Sequence, residues 1–183
     1  MGNNSYSRRF FIKSTLAGAS GIVLLAKCGN LQISNWNFFT DEEALAIEAM
    51  FEQIIPTDKD PGAKEANVIN FIDKQLVSHY RRHQQIYRTG IAGLQETSKI
   101  MFGKTFEKLK WDEQYEIMLA MESNQAKGET WVKLSSSKFF NLVKDHTMQG
   151  FYGSPRHGGN KDYVSYRMLG LDAPLVIGQN RYH

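Results

Sequence analysis

The sequence of 183 residues has a single cysteine, Cys28. An intramolecular disulfide is therefore excluded, and so is a four-cysteine iron–sulfur site within this chain; no Cys-x-x-Cys-His haem attachment occurs either. Prolines number only four, which argues against a long proline-rich linker or tract without a core. Charge of one sign is also scarce. The formal net charge is +3, but residues 1–30 hold Arg8, Arg9, Lys13 and Lys27 and no acid. Residues 31–183 hold 18 Lys and Arg against 19 Asp and Glu, so the body is close to neutral. Nucleic-acid binding needs a basic footprint that releases counterions, and no nucleic-acid partner is expected. No Gly-x-Ser-x-Gly elbow, no EF-hand spacing around Asp58 and Asp60, and no strand-flanked glycine fingerprint occurs.

What is present begins with an address. Ser7-Arg8-Arg9-Phe10-Phe11-Ile12-Lys13 is a near-complete twin-arginine export signal, with Arg8, Arg9 and Phe11 as its recognition residues. A mildly apolar run of 13 residues follows, from Ser14 to Ala26. As a helix it would reach roughly 20 Å, short of the ~30 Å hydrocarbon core. It reads as a signal h-region, and residues 1–30 as a signal segment. Leu25-Ala26-Lys27-Cys28 has the outline of a lipoprotein box, with Cys28 the candidate for acylation, although Lys27 stands where a small residue is expected. Twin-arginine export carries folded cargo, so a protein using it holds a cytoplasmically inserted cofactor or travels with a partner that does.

Residues 31–39 read as a linker, and 40–183 as a helical domain. Thr40 with Glu43 forms a capping box. Ile47, Met50, Phe51, Ile54 and Ile55 then follow helical spacing until Pro56 stops the helix. Asp58 and Asp60 fit the turn that follows. A second helix is expected over 64–82, with Val68, Ile69, Ile72 and Leu76 on one face. A third is expected over 84–102, where Gly90 and Gly93 would permit close helix contact and Gly103 would cap the end. Another should cover 112–124 and bury Tyr115, Met118 and Leu119. Ser135, Ser136 or Ser137 can cap the next, whose apolar face carries Phe139, Leu142, Val143 and His146. A turn over 163–169 follows, and the sequence is irregular from Gly170. No period-two alternation is sustained. These elements give an all-α fold, a compact bundle of about five to six helices with an ordered Gly-rich C-terminal loop.

Candidate chemistry is sparse. His79 and His83 lie four apart on the expected second helix, but Arg81 and Arg82 between them would repel a metal ion, and a solvated basic helix end is the better reading. Residues 150–160 hold four glycines and a proline. Phe151 and Tyr152 supply apolar anchors there and Arg156 a planar donor fork, a combination enriched in protein interfaces. The alternative is that Phe151 and Tyr152 fold inward and close the bundle. No catalytic, cofactor or metal residue is assigned. Were the chain an independent enzyme, Asp145, His146, Arg156 and His157 would be its candidates.

Two blocks carry a family resemblance. The first is Ile54-Ile55-Pro56-Thr57-Asp58 with Pro61-Gly62-Ala63, then Glu65-Ala66, Val68 and Phe71-Ile72-Asp73. The second is Gly150-Phe151-Tyr152, Ser154-Pro155-Arg156, Gly158-Gly159-Asn160 and Tyr166-Arg167-Met168-Leu169-Gly170. Over residues 38–174 the chain resembles the small-subunit family of membrane-bound gluconate dehydrogenase, gluconate 2-dehydrogenase subunit 3. It departs from the family pattern at Ser154, where Asp is usual, at His157, where an aromatic is usual, and at Tyr166, where Trp is usual. The resemblance implies a non-catalytic subunit, without a cofactor of its own, in a periplasmic oxidoreductase complex. FAD is expected in a large catalytic partner of the glucose–methanol–choline (GMC) class that oxidises a sugar, sugar acid or polyol. Haem or an iron–sulfur centre would sit elsewhere in the complex, with a cytochrome c subunit as a further partner. This chain would supply the export signal to the twin-arginine translocase, aid maturation of the flavoprotein, and reside in the periplasm, held at the inner membrane through the complex or an N-terminal anchor. Partner contact is expected at Phe151, Tyr152, Pro155, Arg156, His157, Asn160, Tyr166 and Arg167. A lipid-anchored scaffold with no dehydrogenase partner is the competing non-enzymatic reading.

Overall fold

A computed structural model describes residues 35–171. Arg8, Arg9, Phe11 and Cys28 lie outside the described residues, as does the tail beyond Leu171. The first helix, α1 (Asp41–Ile54), starts where the capping box places it. Thr40 Oγ1 accepts from the Glu43 amide at 3.2 Å, and the Glu43 carboxylate accepts from the Thr40 amide at 2.9 Å. Ile47, Met50 and Phe51 are buried. After Ile55 the chain turns, and the Glu52 carboxylate gathers the amides of Thr57 and Lys64 at 2.7 and 3.0 Å. Asp58 serves the turn, accepting from the Asp60 amide at 2.8 Å.

The second helix is shorter than expected. α2 is Val68–Leu76, preceded by Asn67 in the left-handed region (φ 56°). Its terminal carbonyls are taken by side chains rather than by continuing helix. Gln84 Nε2 donates to Leu76 O at 2.9 Å, Arg81 to Val77 O at 2.9 Å and Ser78 Oγ to Lys74 O at 3.2 Å. Such caps satisfy the acceptors that a helix end leaves open. His79 lies in the turn after α2 and His83 in a single-turn 3-10 segment, Arg81–His83, so they do not share a helix face.

α3 (Gln84–Phe102) ends at Gly103, whose φ of 71° and amide N–H donating to Lys99 O make it the expected cap. Gly90 permits the close packing expected of it. A Cβ there would lie 2.3 Å from the Phe139 ring. α4 (Trp111–Glu122) is rolled relative to expectation. Met118 is buried, but Tyr115 is 53% exposed and Leu119 46%, while Ile117 and Met121 face inward. The cause is Gln114, buried beside them: its Nε2 donates to Phe106 O at 2.9 Å and its Oε1 accepts from Gln53 at 3.1 Å. A short helix not foreseen, α5 (Thr130–Lys133), seats Trp131, whose indole N–H donates to Thr97 Oγ1 at 2.8 Å. α6 (Ser136–Tyr152) is capped by Ser135 and runs through Phe151 and Tyr152. α7 (Val164–Met168) closes the described chain. Among the described residues there are seven α-helices, no strand, and no helix long and apolar enough to cross a membrane.

The end of the expected linker is built into this body. Phe39 is buried, edge-on to Tyr87, and the Asp73 carboxylate, 1% exposed, accepts four hydrogen bonds from residues 37–39. These come from the Asn37 amide and side chain (2.8 and 2.7 Å), the Phe38 amide (2.9 Å) and the Phe39 amide (3.2 Å). Arg88 adds an ion pair to Glu43, a hydrogen bond to Phe38 O, and a guanidinium 4.1 Å above the Phe38 ring. Leaving such donors without an acceptor costs about 1–3 kcal/mol apiece when buried. Asp73→Ala is expected to lower urea-unfolding stability by about 2–3 kcal/mol, whereas Asp112→Ala on the exposed face of α4 stays within about 0.5 kcal/mol.

Candidate partner-binding face

The glycine-rich segment is a strap fastened to α2. Asn160 is its knot. Fully buried, with φ 44°, it donates from Nδ2 to Gly153 O at 2.9 Å and accepts the Ser165 amide on Oδ1 at 3.0 Å. One side chain thus joins the end of α6 to the first turn of α7. Asn70 of α2 donates to Gly158 O at 2.7 Å, and the Lys161 amide donates to Ala66 O at 3.0 Å. Gly159 crosses α6 so closely that a Cβ would lie 2.2 Å from Gly150 O. Only glycine fits a backbone-to-backbone approach of that kind.

This geometry sorts the eight residues expected to meet a partner. Phe151 is fully buried and packs edge-on to Tyr152 at 4.8 Å, so it closes the bundle rather than facing outward. Asn160 is likewise internal, and its role is to hold the strap. Tyr152, Arg156, His157 and Arg167 are exposed, while Pro155 and Tyr166 are half-buried. Pro155 opens the 3-10 turn Pro155–His157, and Arg156 Nε donates to His157 Nε2 at 3.1 Å. Tyr166 tilts against Tyr163, with ring centroids 6.1 Å apart. Asp162 and Tyr163, with φ of 54° and 59°, share the left-handed backbone of Asn160. The six outward residues offer aromatic surface and two guanidinium groups on a backbone held from both sides.

His146, a candidate in the enzymatic reading, lies elsewhere. It is 4% exposed, stacked on Tyr80 at 4.0 Å with rings 9° from parallel, and hydrogen-bonded through Nδ1 to Tyr87 Oη at 3.0 Å. Tyr80 is in turn bonded to Gln149, and the His83 ring stands edge-on to His146 at 5.3 Å. Burial pushes the Tyr87 phenol well above its usual range, so it keeps its proton beside the imidazole. Asp145, the neighbour of His146 in sequence, is exposed, as are Arg156 and His157. Of the four candidates, His146 is thus internal and the other three are on the surface. The sequence showed His146 on the apolar face of its helix; it gave no sign of the two tyrosines that enclose it, which come from 59 and 66 residues earlier.

Desolvation, with smaller contributions from His83 and Arg82 and opposition from Asp145, pulls the His146 pKa down to about 4. An unfolded chain titrates near the ordinary 6.5. Between these values the unfolded state binds a proton that the folded state refuses, so stability falls as pH drops from 6.5 toward 4. Urea unfolding at pH 7 and 4.5 should show this group contributing about 2–3 kcal/mol of loss. His146→Gln should flatten the pH dependence by that amount, and equal slopes in the two proteins would contradict it.

The sequence model of the family described as gluconate 2-dehydrogenase subunit 3 matches residues 41–172, which spans α1 to α7 and the strap. No curated protein and no solved structure matches the chain. The family match takes in both blocks that the fold brings together on α2, and on it the chain belongs to the gluconate 2-dehydrogenase subunit 3 family, as a subunit of a larger dehydrogenase complex.

Proposed function

We propose that this chain is the non-catalytic small subunit of a periplasmic FAD-dependent dehydrogenase acting on a sugar or sugar acid, and that it escorts the flavoprotein through export and maturation. The observation that carries the reading is the family match over residues 41–172. Two further features support it. Ser7-Arg8-Arg9-Phe10-Phe11 is an address for folded cargo, joined to a body whose first residues are anchored by Asp73. The strap presents Tyr152, Pro155, Arg156, His157, Tyr166 and Arg167, residue types that recognise protein surfaces.

In this reading the partner is a large GMC-type flavoprotein that holds FAD, with a cytochrome c subunit taking electrons onward. The complex lies in the periplasm at the inner membrane. The chain contributes the signal and a rigid docking body, and the hydride chemistry belongs to the partner's flavin.

Replacing Arg8-Arg9 by Lys-Lys tests the escort role. Sugar-dependent dye reduction in the periplasmic fraction should fall at least about tenfold, with the flavoprotein retained in the cytoplasm or degraded. Unchanged periplasmic activity would refute export by this chain.

A further inference from the structure

The roll of α4 that buries Gln114 leaves a second apolar row on the outside. Trp111, Tyr115 and Leu119, at i, i+4 and i+8, are each about half exposed. Beside the row lies a groove of about 210 Å³, lined by Gln53 and Ile54 of α1, Tyr115, Met118, Leu119 and Glu122 of α4, and Phe140 and Lys144 of α6. A cavity of about 150 Å³ holds a benzene, so the groove admits a bulky apolar side chain. Lys144 is part of its wall, with its ammonium over the Phe140 ring, 5.3 Å from the centroid. Apolar residues standing singly on a surface need no explanation, but three in register beside an apolar groove mark a contact site.

We infer that the Trp111–Tyr115–Leu119 face with its groove is a second docking surface, which receives an amphipathic helix of the dehydrogenase's flavoprotein subunit with basic residues along its flank. The inference rests on the small-subunit reading above. Charge selects the occupant. Asp112 and Glu116 follow the outer side of the apolar row and Glu122 closes its end, all three exposed, while the basic groups nearby are Lys144 at the groove and Lys110 before the helix. A second copy of this chain would pair the face with itself across a two-fold axis and bring the acidic rows together. A partner helix with apolar residues at i, i+3 or i+4 for the groove, flanked by Lys or Arg, meets both the row and its acids. This face is built from α1, α4 and α6, whereas the strap is built on α2, α6 and α7, so the two surfaces can be altered separately.

The test is purification of the tagged full-length chain from its native membranes, with bound FAD and sugar-dependent dye reduction measured in the eluate. Wild type should bring down the flavoprotein. Tyr115→Glu with Leu119→Glu should reduce co-purified FAD about tenfold or more, while Leu45→Glu, at an exposed apolar position on α1 outside the groove, retains it. Urea midpoints establish that the variants are folded. Should the double variant fail to fold, Glu116→Lys with Glu122→Lys keeps the apolar row and is expected to weaken recovery several-fold, most strongly at low salt. Full FAD recovery with folded α4 variants would overturn the docking assignment alone. Absence of a flavoprotein from the wild-type eluate would overturn the small-subunit reading and the docking assignment with it. A wild-type dimer that α4 substitution converts to monomer would replace the flavoprotein by a second copy.

Discussion

The carboxylate of Asp73 accepts four hydrogen bonds from the three residues that lead into α1. Three attachments converge on a helix of nine residues and the turn just before it. At Asp73 it holds the incoming chain; at Asn70 it holds Gly158; and just before its start, Ala66 O holds Lys161. Both ends of the described chain are fastened to α2, and neither could keep its place if this helix shifted. A buried carboxylate is tolerable only where donors surround it, and residues 37–39 supply them.

That arrangement bears on how this subunit could serve a dehydrogenase. A docking surface loses affinity when its residues must be ordered on binding. If the strap is the docking surface proposed above, it would avoid much of that loss, since Asn160 and the close passage of Gly159 over Gly150 fix its backbone in advance. Tyr152, Arg156 and His157 then stand on a scaffold that is already in place. In the proposed reading the segment that Asp73 anchors follows the export signal in sequence, so a partner held by the body would share the address.

The helical character and several boundaries were legible because their causes are local. Thr40 and Glu43 are three residues apart, Gly103 sits at the end of its own helix, and Ser135 caps the residues that follow it. The misplaced features have distant causes. α2 is shorter than its apolar spacing predicts because its end is capped by Gln84 and Arg81, beyond the helix itself. Tyr115 and Leu119 were expected inside because their spacing is apolar, yet a buried glutamine bonded to Phe106 O turns the helix. Phe151 and Tyr152 were adjacent aromatics that spacing could not tell apart; α6 continues through them and sends one inward and the other out. Asn160 was expected to meet a partner with the rest of the glycine-rich block that carries the family resemblance. Its two hydrogen bonds, to Gly153 and Ser165, are what only the folded chain reveals.

The central claim is that this chain takes part in sugar oxidation by holding a flavoprotein and not by reacting itself. Its most direct test is sugar-dependent dye reduction by the purified, folded chain, measured alone and then after addition of the FAD-bearing subunit. The account predicts no turnover and no bound flavin for the chain alone, and activity only with the partner present. Oxidation of a sugar by the isolated chain would contradict it.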